Sequence, residues 1–327
     1  MLAAYFEKLG TPDVLNFGEQ PDPKPGRWAL PWQSHAVVVE VKAASVNPVD
    51  YKILEGEGLK LFGGRKYPRI PGSDFAGIVS EVGSNVTRFK KGDKVYGIST
   101  SFLGGPGSHA EKTVTYTRVV RHIPEGQSFE TMGAIPVGAL TALNGLYLCG
   151  DGGRAVQGKR ILLAGASGGV GHFALQLAKY FGAHVTAVCS AKNIAFVKKL
   201  GADVTLDYKT TPLAILNGKY DIFYDAFGST PLPVAARLLS KGGKYITTTP
   251  RGLNIVRAIL PFIFGSPRVL MANLSTRKSG FELVEKLLVE KKLQAVIAAR
   301  FPLQKTREAY QSLRDGGHAG KVLITVP

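Results

Sequence analysis

Gly165, Gly168 and Gly171 recur every third residue in AGASGGVG (164–171), between the apolar run RILLAG and the amphipathic run GGVGHFALQLAKY. Glycines so spaced at a strand-to-helix turn let the turn tighten, let backbone approach a pyrophosphate, and let the helix pack closely on the strand. The first-turn N–H groups then face the phosphates with the helix dipole behind them. That chemistry is dinucleotide binding, and the place of the motif between a strand and a helix strengthens it. The same residues spell G-x-S-x-G through Gly165, Ser167 and Gly169, the nucleophile-elbow pattern of α/β hydrolases. A hydrolase needs an acid and a histidine further along. His172, His184 and His318 follow Ser167; His172 is too close, and His318, in GGHAGK, leaves a triad open. A barrel-like first 125 residues and the lack of an HGGG-type oxyanion loop weigh against it.

The next strand, HVTAVCS, ends Cys189-Ser190-Ala191-Lys192-Asn193, without the acid that binds the ribose diol of NAD. A hydroxyl followed by a cation suits a 2′-phosphate instead. Ser190 can donate a hydrogen bond and Lys192 supplies point charge, which favours NADPH over NADH.

The elements that must hold these residues change character near residue 125. Before it, HAVVVEVKAASV (35–46), DFAGIVSEVGSNVTRFKKGDKVYGI (74–98) and PGSHAEKTVTYTRVVRHIP (106–124) are short Val-rich runs punctuated by glycine, which predict strands of a small barrel. PDPKPGRWALPW (21–32) reads as an irregular loop. After it, a helix is expected over 130–147 and strands over 160–166, 184–190, 203–208, 220–228 and 244–250. Helices are expected over 168–182, 191–201 and 232–243. Alternation of this kind predicts an α/β, doubly wound parallel sheet. A helix over 280–292 and short strands ending in GKVLITV (320–326) close the chain, and that tail is able to pair back onto the first domain.

The chain has 327 residues, 45% hydrophobic and 20% charged, which suits two globular domains and excludes a disordered or fibrous chain. Two cysteines, Cys149 and Cys189, are too few for a disulfide scaffold or a four-thiolate zinc lobe. The net charge is +17, of which +3 lies in residues 1–125 and +14 in 126–327. A basic half points to an anionic partner: a phosphorylated cofactor, an anionic membrane surface or nucleic acid. The absence of any RNP, zinc-finger or basic-zipper pattern argues against nucleic acid. The N-terminus MLAAYFEKLG reads as neither a secretory signal nor a removable transit peptide, and 253–272 is too interrupted to span a membrane.

Taken together, ASVNPVDYKI (44–53), IPGSDFAGIVSEVGSNVTRFKKGDKVYG (70–97), IPVGALTAL (135–143), AGASGGVGHFALQLAK (164–179), NIAFVKKLGADVTLDYKT (193–210) and GHAGKVLI (317–324) resemble the quinone oxidoreductase branch of the medium-chain dehydrogenase/reductase superfamily. Within it they are most similar to the chloroplast-envelope subgroup of NADPH-dependent reductases of α,β-unsaturated carbonyls. The resemblance implies a GroES-like β-barrel domain (1–126 and 279–327) and a Rossmann NADPH-binding domain (127–278), with the cofactor in the cleft between them. It places Asn47 and Thr141 at the nicotinamide, and Ser167, Gly168, Gly169 and Val170 on the pyrophosphate. Ser190, Lys192 and Tyr208 surround the adenosine 2′-phosphate, Phe227 and Thr249 line the ribose and nicotinamide, and Lys321 lies near the cofactor. Homodimers through the Rossmann domain, and a cytoplasmic, chloroplast or other organellar setting, follow from the same resemblance.

One departure is informative. Zinc-dependent members carry an early Cys, then G-H-E, then a later Cys; here the early position lies in Cys-free AASVNPVD, and G-H-E reads Gly72-Ser73-Asp74. Catalytic zinc has no ligands in this set. What remains is hydride transfer from NADPH to an enone or quinone, with the protein supplying orientation and electrostatics. The candidate donors to the oxygen that gains charge are the NADPH ribose hydroxyl, a water, and the catalytic candidates Tyr51 and Lys52. Asp50 reads as structural; His109, in GSHAEK, is placed either at the nicotinamide edge or, the better reading, as an ordinary turn histidine. A crystallin-like protein that binds NADPH without turnover is the other outcome. Finally, 251–278 carries Arg251, Arg257, Arg268, Arg277 and Lys278 around Ile259, Leu260, Phe262, Ile263 and Phe264, with no acid. It fits a lipophilic pocket wall, a peripheral membrane contact or a subunit interface.

Overall fold

Val-rich sequence between polar turns forms strands wherever both faces find a cover. In the computed structural model, which describes residues 1–25, 33–56, 67–249 and 267–327, the chain opens with β1 (Leu2–Tyr5) and β2 (Asn16–Glu19), an antiparallel pair. β3 (Ala36–Val46) follows, with both faces largely buried. Asn47 then caps α1 (Pro48–Leu54): proline opens the helix, and the Asp50 carboxylate in its first turn accepts the Asn47 backbone N–H at 2.8 Å. β4 (Asp74–Val82), β5 (Lys94–Ile98), β6 (Lys112–Tyr116) and β7 (Val120–His122) complete the first stretch of strands.

The single helix expected over 130–147 is two. α2 (Phe129–Gly133) is capped by the Ser128 hydroxyl, which accepts the Thr131 N–H at 3.1 Å; α3 (Pro136–Tyr147) begins again at a proline. Next come β8 (Arg160–Ala164), α4 (Gly171–Tyr180), β9 (His184–Cys189), α5 (Ile194–Lys199), β10 (Val204–Asp207) and β11 (Tyr220–Asp225). α6 (Leu232–Leu238) stops short of the helix expected to run to 243, and β12 starts at once (Leu239–Thr247). The reason is local and tertiary together. Ser-Lys-Gly-Gly is poor helix sequence, Gly242 sits at φ +77°, and Leu239 finds a pairing partner in Tyr220. β13 (Arg268–Met271) ends a six-stranded, all-parallel sheet in the order β10-β9-β8-β11-β12-β13. The chain thus runs outward from β8 in one direction, returns beside it at β11, and runs outward in the other. That reversal makes a switch point between β8 and β11.

After α7 (Lys278–Val289), β14 (Ile297–Pro302), α8 (Thr306–Asp315) and β15 (Lys321–Thr325) return to the first stretch. β15 pairs antiparallel with β3, Val322 opposite Val46, and gives the sheet β14-β15-β3-β4-β5-β7, with β6 also on β3. Phe75, Val95, Leu54, Tyr310 and Ile324 lie in its core.

Contacts divide the chain into one unit of Met1–Val137 with Ala295–Pro327 and another of Gly138–Gln294. The family resemblance implied divisions at 126/127 and 278/279. The difference lies in two helices: α2 packs on β3 and β4, while α7 stays in the unit of the parallel sheet. Periodicity reports that a helix exists but not which sheet receives its apolar face. Among the described residues no helix is long and apolar enough to cross a membrane. Residues 251–266, the larger part of the basic-apolar segment, lie outside the described residues.

Candidate functional site

The switch point is built from two loops. After β8 the chain turns at Gly165, φ +71°, and enters α4 at Gly171. A Cβ on Gly171 would stand 2.0 Å from the Gly165 carbonyl oxygen, so only glycine lets the helix start against the turn. A Cβ on Gly168 would meet only that same oxygen, at 3.3 Å, and otherwise open space. The backbone N–H groups of Gly169 and Val170 have no acceptor among the described residues. These are the unpaired donors of a helix start, adjoining the open space beside Gly168.

The loop after β11 meets this turn: a Cβ on Gly165 would lie 3.2 Å from Phe227 Cβ. It is held from beneath by Asp225, fully buried, whose carboxylate accepts N–H groups of Phe227 (3.2 Å), Gly228 (2.8 Å) and Thr230 (2.9 Å). Tyr245 adds its hydroxyl at 3.0 Å, a donor throughout because burial raises its pKa well above the ordinary phenol value. So braced, Phe227 projects outward, 75% exposed. Thr249 follows β12 and lies against Gly228. Thr141 is buried on α3, where its carbonyl and that of Ala142 accept the Tyr224 hydroxyl at 3.3 Å each.

At the end of β9, Ser190 Oγ is buried without a hydrogen-bond partner among the described residues. Such an atom costs stability unless a ligand or water satisfies it. Ser167 Oγ accepts the Asn193 side-chain amide at 3.0 Å, and His172 Nδ1 lies 2.8 Å from the Gly168 carbonyl oxygen. Ser167 is thus tied to an amide, which does not activate it as a nucleophile. Lys192 is exposed and Tyr208 half exposed. One acid escaped the sequence reading: Asp207 ends β10 directly opposite Cys189, and its carboxylate accepts the Lys209 N–H at 3.1 Å. The signal was two-dimensional, a register across parallel strands. The donors, the free space and the orphaned hydroxyl fit the pyrophosphate and ribose phosphate of a dinucleotide.

In the unit of the antiparallel strands, a buried polar cluster surrounds Asp74. Its carboxylate accepts from Ser45 Oγ (2.5 Å), Asn47 Nδ2 (2.9 Å) and the Val137 N–H (2.7 Å). Lys321, 2% exposed, pairs with Asp74 at 3.4 Å and donates to Asn47 Oδ1. Tyr51 is half-buried against the barrel core beside Lys52 on α1. His109 is no turn histidine: it is fully buried, its Nε2 3.4 Å from the Ser45 carbonyl, which can only accept, and its Nδ1 3.2 Å from the Tyr310 hydroxyl. Burial pushes its pKa down to about 4, against the hydrogen bond to Ser45. The unfolded chain takes up this proton below about pH 6.5 and the folded chain only near 4, so stability falls as pH drops through that interval. In thermal melts between pH 7 and 4, His109→Gln should lose less stability on acidification than the native chain, set against the opposite contribution of Asp50, which burial raises to about 7; an equal pH dependence of the two proteins would contradict it. Sequence spacing gave no sign of Ser45, Ser73, Asp74 or Tyr310 as partners, because they come from separate parts of the fold. Among the described residues no group of three or more His, Cys, Asp or Glu is arranged to hold a metal ion.

This geometry agrees with what the chain is similar to. The family model for the alcohol dehydrogenase GroES-like domain matches residues 33–125, and that for zinc-binding dehydrogenases matches 200–324. The chloroplast envelope quinone oxidoreductase homolog of Arabidopsis thaliana is 40% identical over 304 residues, 89% of this chain and 90% of that protein. A mitochondrial NAD(P)H oxidoreductase of Bos taurus is 30% identical, covering 100% of this chain and 89% of its own. The quinone oxidoreductase structure from Coxiella burnetii matches with a TM-score of 0.87 at 29% identity, over 100% of this chain and 99% of that one. With a glycine-cradled switch point on one unit and a GroES-like strand unit in the other, the chain belongs to the medium-chain dehydrogenase/reductase superfamily, in its quinone oxidoreductase branch.

Proposed function

We propose that the protein is an NAD(P)H-dependent oxidoreductase of the quinone oxidoreductase type, that its cofactor is NADPH, and that it reduces the C=C of α,β-unsaturated carbonyls (alkenals, enones and oxylipin ketones) as well as quinones. The observation that carries the cofactor is the buried, unpartnered Ser190 hydroxyl one residue before Ala191-Lys192, at the strand end where the ribose phosphate would lie. When bound, NADPH supplies a hydride. The protein's own groups bind and orient: Ser167, Gly168, Gly169 and Val170 would hold the pyrophosphate, and Ser190, Lys192 and Tyr208 the 2′-phosphate. Thr141, Phe227 and Thr249, with Asn47 and Lys321, are the proposed contacts of the ribose and nicotinamide.

Conjugate addition suits this residue set. The charge that develops on the distant oxygen is delocalised along the enone or quinone, so hydrogen-bond donors can stabilise it without a Lewis acid. Tyr51 and Lys52 are the proposed donors. A panel of alkenals, oxylipin ketones and quinones, scored by NADPH oxidation with a chelator present and by product analysis, tests the reading. NADPH binding without turnover on any member would leave a binding protein and defeat it. Assembly as a homodimer belongs to the same proposal and is read by light scattering. Peripheral contact of 251–278 with an anionic surface is read by salt-sensitive liposome co-sedimentation.

Replacing Lys192 by Ala should raise the KM for NADPH about tenfold, the worth of one hydrogen bond to a charged group, and leave the KM for NADH unchanged. Equal rises for both cofactors would place Lys192 away from the 2′-phosphate.

A further inference from the structure

An open pocket of about 370 Å³ lies in the unit of the parallel sheet, at the end of α4 opposite the glycine turn. Helix α4 is 10 residues long, so about 15 Å of helix separates the pocket from Gly171. Four lysines line it: Lys179 on α4, Lys199 at the end of α5, and Lys291 and Lys292 just after α7. Two are neutralised locally, Lys179 by Asp203 at 2.7 Å and Lys292 by Glu290 at 2.8 Å. Lys199 and Lys291 have no ion-pair partner among the described residues. Two positive charges of the lining are thus left without a countercharge.

Lysines at helix ends often serve the last carbonyls and the helix dipole. Backbone already meets the carbonyls here. The N–H groups of Phe181, Gly182 and Ala183 close α4, those of Leu200, Gly201 and Ala202 close α5, and those of Glu290, Lys291 and Lys292 close α7. Lys291 also stands in an unfavourable place. It takes φ +56° where the chain turns out of α7, a position that suits glycine. What lysine adds there, against that disadvantage, is a charge on the pocket wall.

The wall is fixed by its own hydrogen bonds. Gln176, 8% exposed on α4, donates from Nε2 to the carbonyls of His172 (2.9 Å) and Gln294 (3.1 Å), and its Oε1 accepts the Gln294 N–H at 2.9 Å. A pocket held in this way needs little ordering on binding. Tyr180, 40% exposed, and Leu200 add an aromatic and an apolar surface to the lining. The volume falls in the range of sites for small organic molecules.

We propose that this pocket binds a small organic phosphate monoester, its phosphate paired with Lys199 and Lys291 and its body against Tyr180 and Leu200. Such a phosphate carries close to two negative charges at neutral pH, which the two unpaired ammonium groups match. The site is separate from the cofactor turn and rests on no part of the cofactor reading.

Phenyl phosphate is the probe, titrated into the full chain at low salt and followed by ligand-observed NMR, with and without NADPH. The native chain should bind it equally in both series, and more tightly than inorganic phosphate, which has no ring to lie on Tyr180. Lys199→Gln and Lys291→Gly should each weaken binding about tenfold, the loss of one hydrogen bond to a charged group. Lys291→Gly should melt no lower than the native chain, because glycine suits the turn, so its weaker binding is not a loss of fold. Lys241→Gln removes one exposed charge of the same unit outside the pocket and should bind as the native chain does. No binding, native affinity in both pocket variants, equal weakening in Lys241→Gln, equal affinity for inorganic phosphate, or displacement by NADPH would each overturn the proposal. A chain that failed to take NADPH would still show the differences among the lysine variants, so the two readings fail separately.

Discussion

Lys321→Met is expected to lower the unfolding free energy by about 3–5 kcal/mol, the cost of leaving one partner of a buried pair without its countercharge. Asp74 is 0% exposed and already accepts from Ser45, Asn47 and the Val137 N–H. Those donors satisfy its lone pairs but do not neutralise it. The ammonium of Lys321 does, and it also orients Asn47 through Oδ1. Making the acid neutral as well should recover part of the loss. In Lys321→Met with Asp74→Asn the two costs should fall short of additivity by about 1–3 kcal/mol, as for directly coupled groups. Urea unfolding of the four proteins of this cycle measures the coupling. Strict additivity, or a single-variant loss below about 1 kcal/mol, would show that the pair is loosely solvated rather than structural.

Gly171→Ala should damage both fold and cofactor binding, whereas Gly168→Ala should damage binding alone. A Cβ added at Gly171 would stand 2.0 Å from the Gly165 carbonyl oxygen and 2.9 Å from Ala166 Cα, both backbone atoms with no rotamer to yield. The helix start must move, at a cost of about 1–3 kcal/mol or more. The donors of Gly169 and Val170 move with it, and NADPH affinity should fall about a hundredfold, some 2.7 kcal/mol. At Gly168 the added methyl meets one backbone oxygen closely, at 3.3 Å, and nothing else within 4 Å. Its expense is borne by whatever approaches the turn. Stability should hold to within about 0.5 kcal/mol, the range of substitutions that disturb no packing, while the NADPH Kd rises about tenfold. Calorimetric titration with parallel melts separates the two effects. If both variants bind NADPH like the native chain, the turn does not carry the pyrophosphate.

Much of this architecture is written in local sequence. Strand β8 (RILLA), the glycine turn and helix α4 are contiguous, so their apolar periods and the spacing of Gly165, Gly168 and Gly171 name both the elements and their junction. GKVLITV was legible as a short apolar strand able to pair back onto the first domain, and β15 does pair with β3. Where local signals were weak, the tertiary structure decided: 239–243 joined β12 rather than α6 because Tyr220 on β11 offered Leu239 a partner. It likewise divided the chain at 137/138 and 294/295, by which sheet each helix packs on.

The polar interior belongs wholly to the second kind of knowledge. Asp207 faces Cys189 only through a parallel register, Lys321 meets Asp74 across 247 positions, and Tyr310 meets His109 across 201. The sequence by itself determined the strand–helix alternation, the glycine turn between β8 and α4 and the absence of the zinc-ligand pattern. These depend on residue type and on neighbours within a few positions, which set backbone conformation and the chemistry on offer. Only the tertiary structure decided which charges are buried together and which groups are left incomplete, as at Ser190. Burial and pairing are properties of groups brought together by the fold, and no spacing along one chain encodes them.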